Sequence, residues 1–106
     1  MIPVDCGPPS WPFVYCSGDR VTQIQAKELG LRGTLPHNFN QLSELYNLGL
    51  QRNNLCGMLP TFSGLSKLKY AFLDYNAFDA IPADFFDGLS SLMVLTLEKK
   101  STECKQ

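Results

Sequence analysis

The side chains that could do covalent or metal chemistry are few and scattered. The chain of 106 residues has one histidine, His37, which follows a proline on a predicted outer turn. Nucleophilic catalysis needs a base within hydrogen-bond reach and a third group that orients it, and no such set accompanies His37. Asp84 and Asp87 show no metal-ligand pattern, and there is no CxxC pair for zinc. With no phosphate loop or kinase signature either, we predict no catalytic, metal or cofactor-binding residue.

Non-covalent recognition is the chemistry that the sequence does support. Aromatic and charged side chains fall at alternating positions of two neighbouring short segments, and tyrosine and arginine are enriched at binding hot spots. Phe72 is notable because a solvent-facing strand position rarely favours phenylalanine. The alternatives are that Phe72 covers a neighbouring coil, or that Ala71 and Phe72 exchange faces. We predict a partner-binding surface made of Arg52, Tyr70, Phe72, Asp74 and Tyr75.

The elements that position these residues come from an internal repeat. Similar segments begin at Val21, Leu45, Leu68 and Leu92, which are 24, 23 and 24 residues apart. A period of this length with the pattern LxxLxLxxN is typical of leucine-rich repeats. The predicted fold is an α/β, right-handed leucine-rich-repeat solenoid, with short parallel strands on the concave side and loops or 3-10 turns on the convex side.

Each repeat has positions with a predicted structural role. Apolar residues that alternate with polar ones indicate short strands with one buried face: Ile24/Ala26, Leu48/Leu50, Ala71/Leu73 and Leu95/Leu97. Asn53 and Asn76 follow two strands, where an amide can pair with main-chain groups of the turn. Gly33 and Gly57 suit positive φ or close approach of the backbone. The outer half of the core is assigned to the pairs Phe39/Leu42, Phe62/Leu65 and Phe86/Leu89.

The cysteines and the two ends of the chain define the predicted domain organisation. Residues 1–20 are assigned to a truncated N-terminal cysteine cap, residues 21–100 to about four repeats, and residues 101–106 to a C-terminal tail. Cys6 and Cys16 flank a segment rich in proline and aromatic residues, which favours a disulfide in an oxidising compartment; the alternative is two reduced, buried cysteines. Cys56 is predicted to be a small buried thiol, and Cys104 is not expected to pair with the cap.

The end of the repeat array bears on self-association. Repeat arrays need a polar terminal cap for solubility, and no recognisable cap follows Leu97. We therefore expect the last coil to be frayed, to be covered by further sequence, or to self-associate.

Charge and hydropathy exclude other classes of partner. The net charge is −1, and no basic stripe or polybasic run is present, which argues against nucleic acid and against a membrane surface. No stretch approaches the roughly 18 apolar residues that cross a bilayer. The first residues lack the basic start and apolar region of a signal peptide. The expected partner is therefore a protein or peptide.

Two segments, 31–36 and 55–60, carry the LxGxIP variant of the repeat, which resembles plant extracellular leucine-rich repeats. Three further stretches are similar to the first repeats of the transmembrane-kinase (TMK) group of plant receptor-like kinases: 42–54, 63–66 and 78–92. Trp11 and Cys16 match the family's N-terminal cap. The chain departs from the family in lacking the helix that precedes the cap, in its long Cys6–Cys16 spacing, and in Cys56.

The resemblance implies a fragment of a receptor ectodomain at the plant cell surface, connected to the membrane and to a kinase only through parent sequence that is absent from this chain. It implies a peptide ligand or co-receptor as partner, and auxin-related growth signalling. Two alternatives are a small secreted leucine-rich protein of the polygalacturonase-inhibitor kind and a truncated product that has no partner of its own.

Overall fold

Short strands alternate with turns along the whole of the described chain, which in this computed structural model comprises residues 13–100. The strands are β1 (Val14–Ser17), β2 (Arg20–Gln25), β3 (Arg32–Gly33), β4 (Asn47–Gly49), β5 (Asn54–Met58), β6 (Tyr70–Phe72), β7 (Ala77–Ala80) and β8 (Val94–Thr96). A 3-10 helix spans Phe39–Gln41. The strands form a five-stranded sheet in the order β1-β2-β4-β6-β8 and a three-stranded sheet in the order β3-β5-β7.

The five-stranded sheet is the one that the repeat predicts. Strands β2, β4, β6 and β8 are parallel, in a register that aligns the same repeat position in each coil: Ile24, Leu48, Ala71 and Leu95. These residues face the core, and Ala71 is 0% exposed. Phe72 is half-buried on the opposite face of the sheet. An exchange of faces between Ala71 and Phe72 is therefore excluded.

The three-stranded sheet was not predicted from the sequence. It forms where the LxGxIP segments of consecutive coils lie side by side, with Gly33 paired to Leu55 and Gly57 paired to Phe78. Gly33 has φ 92° and Gly57 has φ 81°, which confirms that both glycines adopt the left-handed region where a Cβ is disfavoured. Gly33 ends β3, and Gly57 lies one residue before the end of β5, so the chain turns at or near the end of each of these two strands.

The outer half of the core contains a row of stacked phenylalanines, and here one prediction was wrong. Phe39, Phe62 and Phe85 stack with centroid distances of 5.3 and 4.5 Å. Phe85 is 0% exposed, whereas the predicted residue, Phe86, is 53% exposed. The prediction placed the core phenylalanine three residues before the leucine of each coil, which gave Phe86 before Leu89. It fails because the third coil has one more residue between its buried phenylalanine and that leucine. Phe85 instead keeps the spacing from Pro82 that Phe39 has from Pro36, and the main-chain N–H of each phenylalanine donates a hydrogen bond to the carbonyl of that proline.

The two buried asparagines lie between coils. Asn53 Oδ1 accepts hydrogen bonds from the N–H groups of Leu29 and Leu31, while its Nδ2 donates to the carbonyls of Ala26 and Leu50. Asn76 repeats part of this pattern one coil later. Its Nδ2 donates to the carbonyls of Leu50 and Leu73, and its Oδ1 accepts from the N–H of Leu55. Each amide therefore connects the ends of two successive strands.

The observed architecture is a β-solenoid of about three turns with parallel strands and almost no helix, which agrees with a leucine-rich-repeat solenoid. The α/β description is not confirmed, since the helix of residues 13–100 consists of one 3-10 turn. The right-handed coil and the division into cap, repeats and tail stay predictions. The assigned tail (101–106) and most of the assigned cap (1–12) lie outside the described residues.

Candidate recognition surface

The five predicted partner-binding residues lie on or beside strands β4 and β6, and we refer to them as the aromatic patch: Arg52, Tyr70, Phe72, Asp74 and Tyr75. Tyr70 and Phe72 are alternate residues of β6, so they share the face opposite the core. Both are half-buried. Parallel pairing places Tyr70 beside Asn47 and Val94, and Phe72 beside Gly49 and Thr96. The patch residues of β6 are therefore flanked by β4 on one side and by β8 on the other.

Arg52 and Tyr75 contact each other because they occupy the same position in consecutive coils. Both have positive φ, 61° and 58°, as does Glu28 one coil earlier at 55°. This conformation is unfavourable for residues other than glycine, and it turns the chain at the end of each strand. The Arg52 guanidinium lies over the Tyr75 ring, 4.6 Å from the centroid, a cation–π contact worth about 0.5–1 kcal/mol at an exposed site. The exposed cation is thus held in a defined place.

Asp74 is oriented by the neighbouring strand. Thr96 Oγ1 donates a hydrogen bond of 2.6 Å to Asp74 Oδ1. The short distance suits a charge-assisted bond to a carboxylate. The patch therefore presents two aromatic rings on β6, together with a cation and an anion that are held in place beyond the ends of the strands. This combination suits a protein partner whose surface has both apolar and charged groups.

The surface beside Phe72 is formed by Asn47 and Gly49 of β4, with Gln25 at the end of β2 and Gln51 just after β4. A Cβ on Gly49 would lie 2.9 Å from Gln25 Oε1 and 3.2 Å from Gln51 Oε1, so both amides fold over the glycine. Asn47 Oδ1 and Gln51 Oε1 are buried and accept no hydrogen bond from the part of the chain that the structure describes. The alternation of residues along the repeat indicates that these side chains lie on the face opposite the core. The lack of hydrogen bonds to two of their oxygens follows from side-chain packing and cannot be read from the sequence.

Two shallow clefts lie away from the aromatic patch. One of about 380 Å³ is lined by Tyr46, Lys67, Lys69 and Ser91. The other, of about 220 Å³, is lined by residues at the end of the coil: Leu59, Phe78, Asp79, Ala80, Ile81 and Leu97. Neither cleft includes a residue of the patch.

The residues considered for covalent or metal chemistry are not brought together. His37 is exposed in a turn before the 3-10 helix. Within residues 13–100, no group of three or more histidine, cysteine, aspartate or glutamate side chains is placed to hold a metal ion. In the same range, no helix has the length and hydropathy to cross a membrane.

The cysteines correct one expectation. Cys16 on β1 and Cys56 on β5 are both disulfide-bonded, so the prediction of a free thiol at Cys56 was wrong. Its burial was predicted correctly, but a buried cysteine behaves as a small apolar residue in either state. Cys6 and Cys104 lie outside the described residues, and the Cys6–Cys16 pairing stays a prediction.

One ion pair connects two coils on the exposed side of the turns. The Lys67 ammonium donates a hydrogen bond of 2.7 Å to Glu44 Oε1. This hydrogen bond and the charge of Lys67, with a smaller effect from Arg20, lower the pKa of Glu44 below its ordinary value of 4.5. Both side chains are exposed, so the pair contributes little to stability.

Comparison with curated proteins places the chain beside plant receptor kinases. It is 38% identical over 87 residues to receptor-like kinase TMK2 of Arabidopsis thaliana, and 39% identical over 76 residues to receptor-like kinase TMK4 of the same plant; these matches cover 81% and 72% of this chain but 10% and 8% of the relatives. It is 42% identical over 79 residues to receptor protein kinase WSS1 of Oryza sativa subsp. japonica, covering 74% of this chain and 9% of that protein.

The resemblance to TMK-type leucine-rich-repeat receptor-like kinases is therefore confirmed over most of the chain. The chain spans about one tenth of the length of these relatives. No family model matches it.

Proposed function

We propose that this chain is a protein- or peptide-recognition module, equivalent to part of the leucine-rich-repeat ectodomain of a plant receptor-like kinase. The observation that carries the proposal is the aromatic patch, in which Phe72 and Tyr70 lie on the face of the sheet opposite the core. Solenoid proteins use extended sheet surfaces of this kind for binding. The similarity to receptor kinases supports the same role, and it does not favour the polygalacturonase-inhibitor alternative.

The proposed role is recognition, and phosphoryl transfer would belong to another part of a longer protein. The same similarity supports a place outside the cell, and a peptide ligand or a co-receptor ectodomain as the partner. Auxin-related growth signalling is the setting that the resemblance implies. The binding experiment below does not depend on that setting.

The test compares the full chain with Phe72→Ala and Tyr75→Ala variants against a panel of purified receptor-kinase ectodomains and secreted peptides. We expect each substitution to weaken a binding partner's affinity at least ~10-fold, in the range of a hot-spot residue. Phe86→Ala is the matched control, because Phe86 is an exposed phenylalanine outside the patch. Thermal unfolding should change little in all three variants. Loss of stability in the patch variants comparable to that of core mutants would instead give Phe72 and Tyr75 a structural role.

A further inference from the structure

The outer face of the three-stranded sheet contains a buried cysteine whose burial the core does not explain. Leu55 packs in the core. The next residue of β5, Cys56, therefore points away from the core, because side chains alternate between the two faces of a strand. Asn54 lies on the same face as Cys56 and is exposed, whereas Cys56 is only 1% exposed. A segment outside the core therefore covers this side chain.

The burial of this face extends toward the last coil. Ala77, which pairs with Cys56 from the next coil, shares the outer face and is 5% exposed. Arg32 has the same place as Cys56 in the preceding copy of the repeat and pairs with Asn54, yet it is exposed. The covering segment therefore lies over β5 and β7 and not over β3, which indicates that it follows the fourth coil.

The chain leaves the fourth coil in the direction of Cys56. The main-chain N–H of Lys100 donates a hydrogen bond to the Asn76 carbonyl at 3.0 Å, and Lys100 Nζ donates to Asn54 Oδ1, two coils away. Asn54 and Cys56 are two residues apart on one strand, which is about 7 Å. Cys104 follows Lys100 by four residues, a span of up to about 14 Å. Cys104 is therefore within reach of Cys56.

Cys56 is disulfide-bonded, and the other cysteine of residues 13–100, Cys16, lies too far away to be its partner. Cys16 is on β1, which is two strands from β4 of the coil that contains Cys56. Two strand spacings amount to about 9.5 Å, whereas a disulfide joins Cα atoms about 4.4–6.8 Å apart. The remaining cysteines of the sequence are Cys6 and Cys104, and the contacts of Lys100 favour Cys104.

We propose that Cys56 and Cys104 form a disulfide that holds residues 101–106 across the outer face of β7 and β5 as a C-terminal strap. Apart from Cys104, these six residues are polar or charged, which suits a segment that caps a repeat array and has one side in solvent. The bond forms by exchange: both thiols are oxidised to one disulfide, and a disulfide of the oxidising compartment takes up their protons and electrons and becomes two thiols. The strap and the aromatic patch belong to different sheets, so the inference is independent of the proposed function.

Tryptic digestion of the unreduced full chain distinguishes the possible pairings. Cleavage after lysine and arginine separates the cysteines into three peptides: 53–67 with Cys56, 101–105 with Cys104, and 1–20 with the two others. Mass spectrometry should find 53–67 joined to 101–105, and 1–20 released on its own. A disulfide between 1–20 and 53–67, or a peptide 53–67 that is not joined to 101–105, would overturn the inference.

Thiol reactivity tests whether the tail covers Cys56. In Cys104→Ala the strap is no longer held, so Cys56 of the folded protein should react with iodoacetamide at a rate within about tenfold of that of the same variant unfolded in urea. A slower reaction in the folded variant would show that the four coils bury Cys56 by themselves, and the strap would be overturned.

Amide hydrogen exchange measures what the strap does for the last coil. The Lys100 amide, bonded to the Asn76 carbonyl, should exchange at least ~10-fold faster in Cys104→Ala than in wild type, because local opening becomes easier. The Tyr46 amide, bonded to the Thr22 carbonyl at 2.9 Å, is the internal control and should keep its protection, which also shows that the variant is folded. Equal protection of Lys100 in the two proteins would contradict the role of the strap as a terminal cap.

Discussion

At the scale of single residues, the most consequential side chain is the buried amide of Asn53. It accepts two main-chain N–H groups of the first coil and donates to carbonyls of both the first and the second coil. Asparagine suits this place because its amide is both donor and acceptor in a small volume. Backbone groups at the end of a buried strand must be paired somewhere, and one side chain meets that need for two coils at once.

Replacing Asn53 with alanine should therefore be costly. The change removes the partner of the buried Ala26 carbonyl and of the part-buried N–H groups of Leu29 and Leu31. A buried group left unpaired costs about 1–3 kcal/mol, so we expect the free energy of unfolding to fall by about 3 kcal/mol. Asn54→Ala is the control, because the neighbouring asparagine is exposed and should change stability by less than about 0.5 kcal/mol. Urea unfolding measures both. Equal effects of the two substitutions would contradict the role assigned to Asn53.

Glu44 allows a pH prediction at the same scale. Its pKa is lowered by the hydrogen bond and the charge of Lys67, so the ion pair's contribution is present above the unfolded-state pKa, near 4.5. That contribution is lost as pH falls through the lower folded-state value. In Lys67→Gln, the pKa of Glu44 measured by NMR should rise toward 4.5. Added salt should raise it in wild type as well. An unchanged titration midpoint of Glu44 in Lys67→Gln would show that Lys67 does not lower this pKa.

At the scale of elements, the repeat predicts the strands of the five-stranded sheet because its signal is an alternation of apolar residues with period two. The three-stranded sheet escaped prediction because β3, β5 and β7 contain glycines and small residues that show no such alternation. Their pairing arises from the stacking of corresponding segments of consecutive coils, with Gly33 beside Leu55 and Gly57 beside Phe78. Such elements depend on the neighbouring coil more than on their own sequence.

In the candidate site, too, some features could be predicted from the sequence and others could not. The face occupied by Tyr70 and Phe72 follows from strand periodicity, which is why these two residues could be placed from the sequence. The contact of Arg52 with Tyr75 required knowledge that the residues in the turns after β4 and β6 have positive φ, a feature without a glycine to signal it. The unsatisfied amides of Asn47 and Gln51 depend on side-chain packing across strands, which periodicity does not determine.

The row of stacked phenylalanines provides a prediction for the outer side of the coils. Phe85 contacts Phe62 at 4.5 Å and is fully buried, whereas Phe86 next to it is half exposed. Phe85→Ala should lower the free energy of unfolding by about 3–5 kcal/mol, the range for buried aromatic side chains. Phe86→Ala should have a much smaller effect. Thermal unfolding of the two variants shows which of the two phenylalanines belongs to the core. A larger loss of stability in Phe86→Ala than in Phe85→Ala would support the original pairing of Phe86 with Leu89.

At the scale of the whole molecule, stability is shared between neighbouring coils, because each coil buries its apolar face only against the next. The apolar positions of the third coil, Leu68, Ala71 and Leu73, are at most 1% exposed. The equivalent residues of the last coil, Leu92, Leu95 and Leu97, are only partly buried. Stability should therefore decrease toward this end of the described chain, and the predicted self-association would act there.

Hydrogen exchange compares two equivalent amides directly. The Tyr70 N–H bonds to the Tyr46 carbonyl at 3.1 Å, and the Val94 N–H bonds to the Lys69 carbonyl, one coil later, at 3.0 Å. Exchange requires local opening, which costs less where fewer apolar contacts break. We expect the Val94 amide to exchange at least ~10-fold faster than the Tyr70 amide after correction for intrinsic rates. Equal protection in dilute protein would contradict a weak terminal coil, whereas protection of Val94 that rises with protein concentration would support self-association through this end.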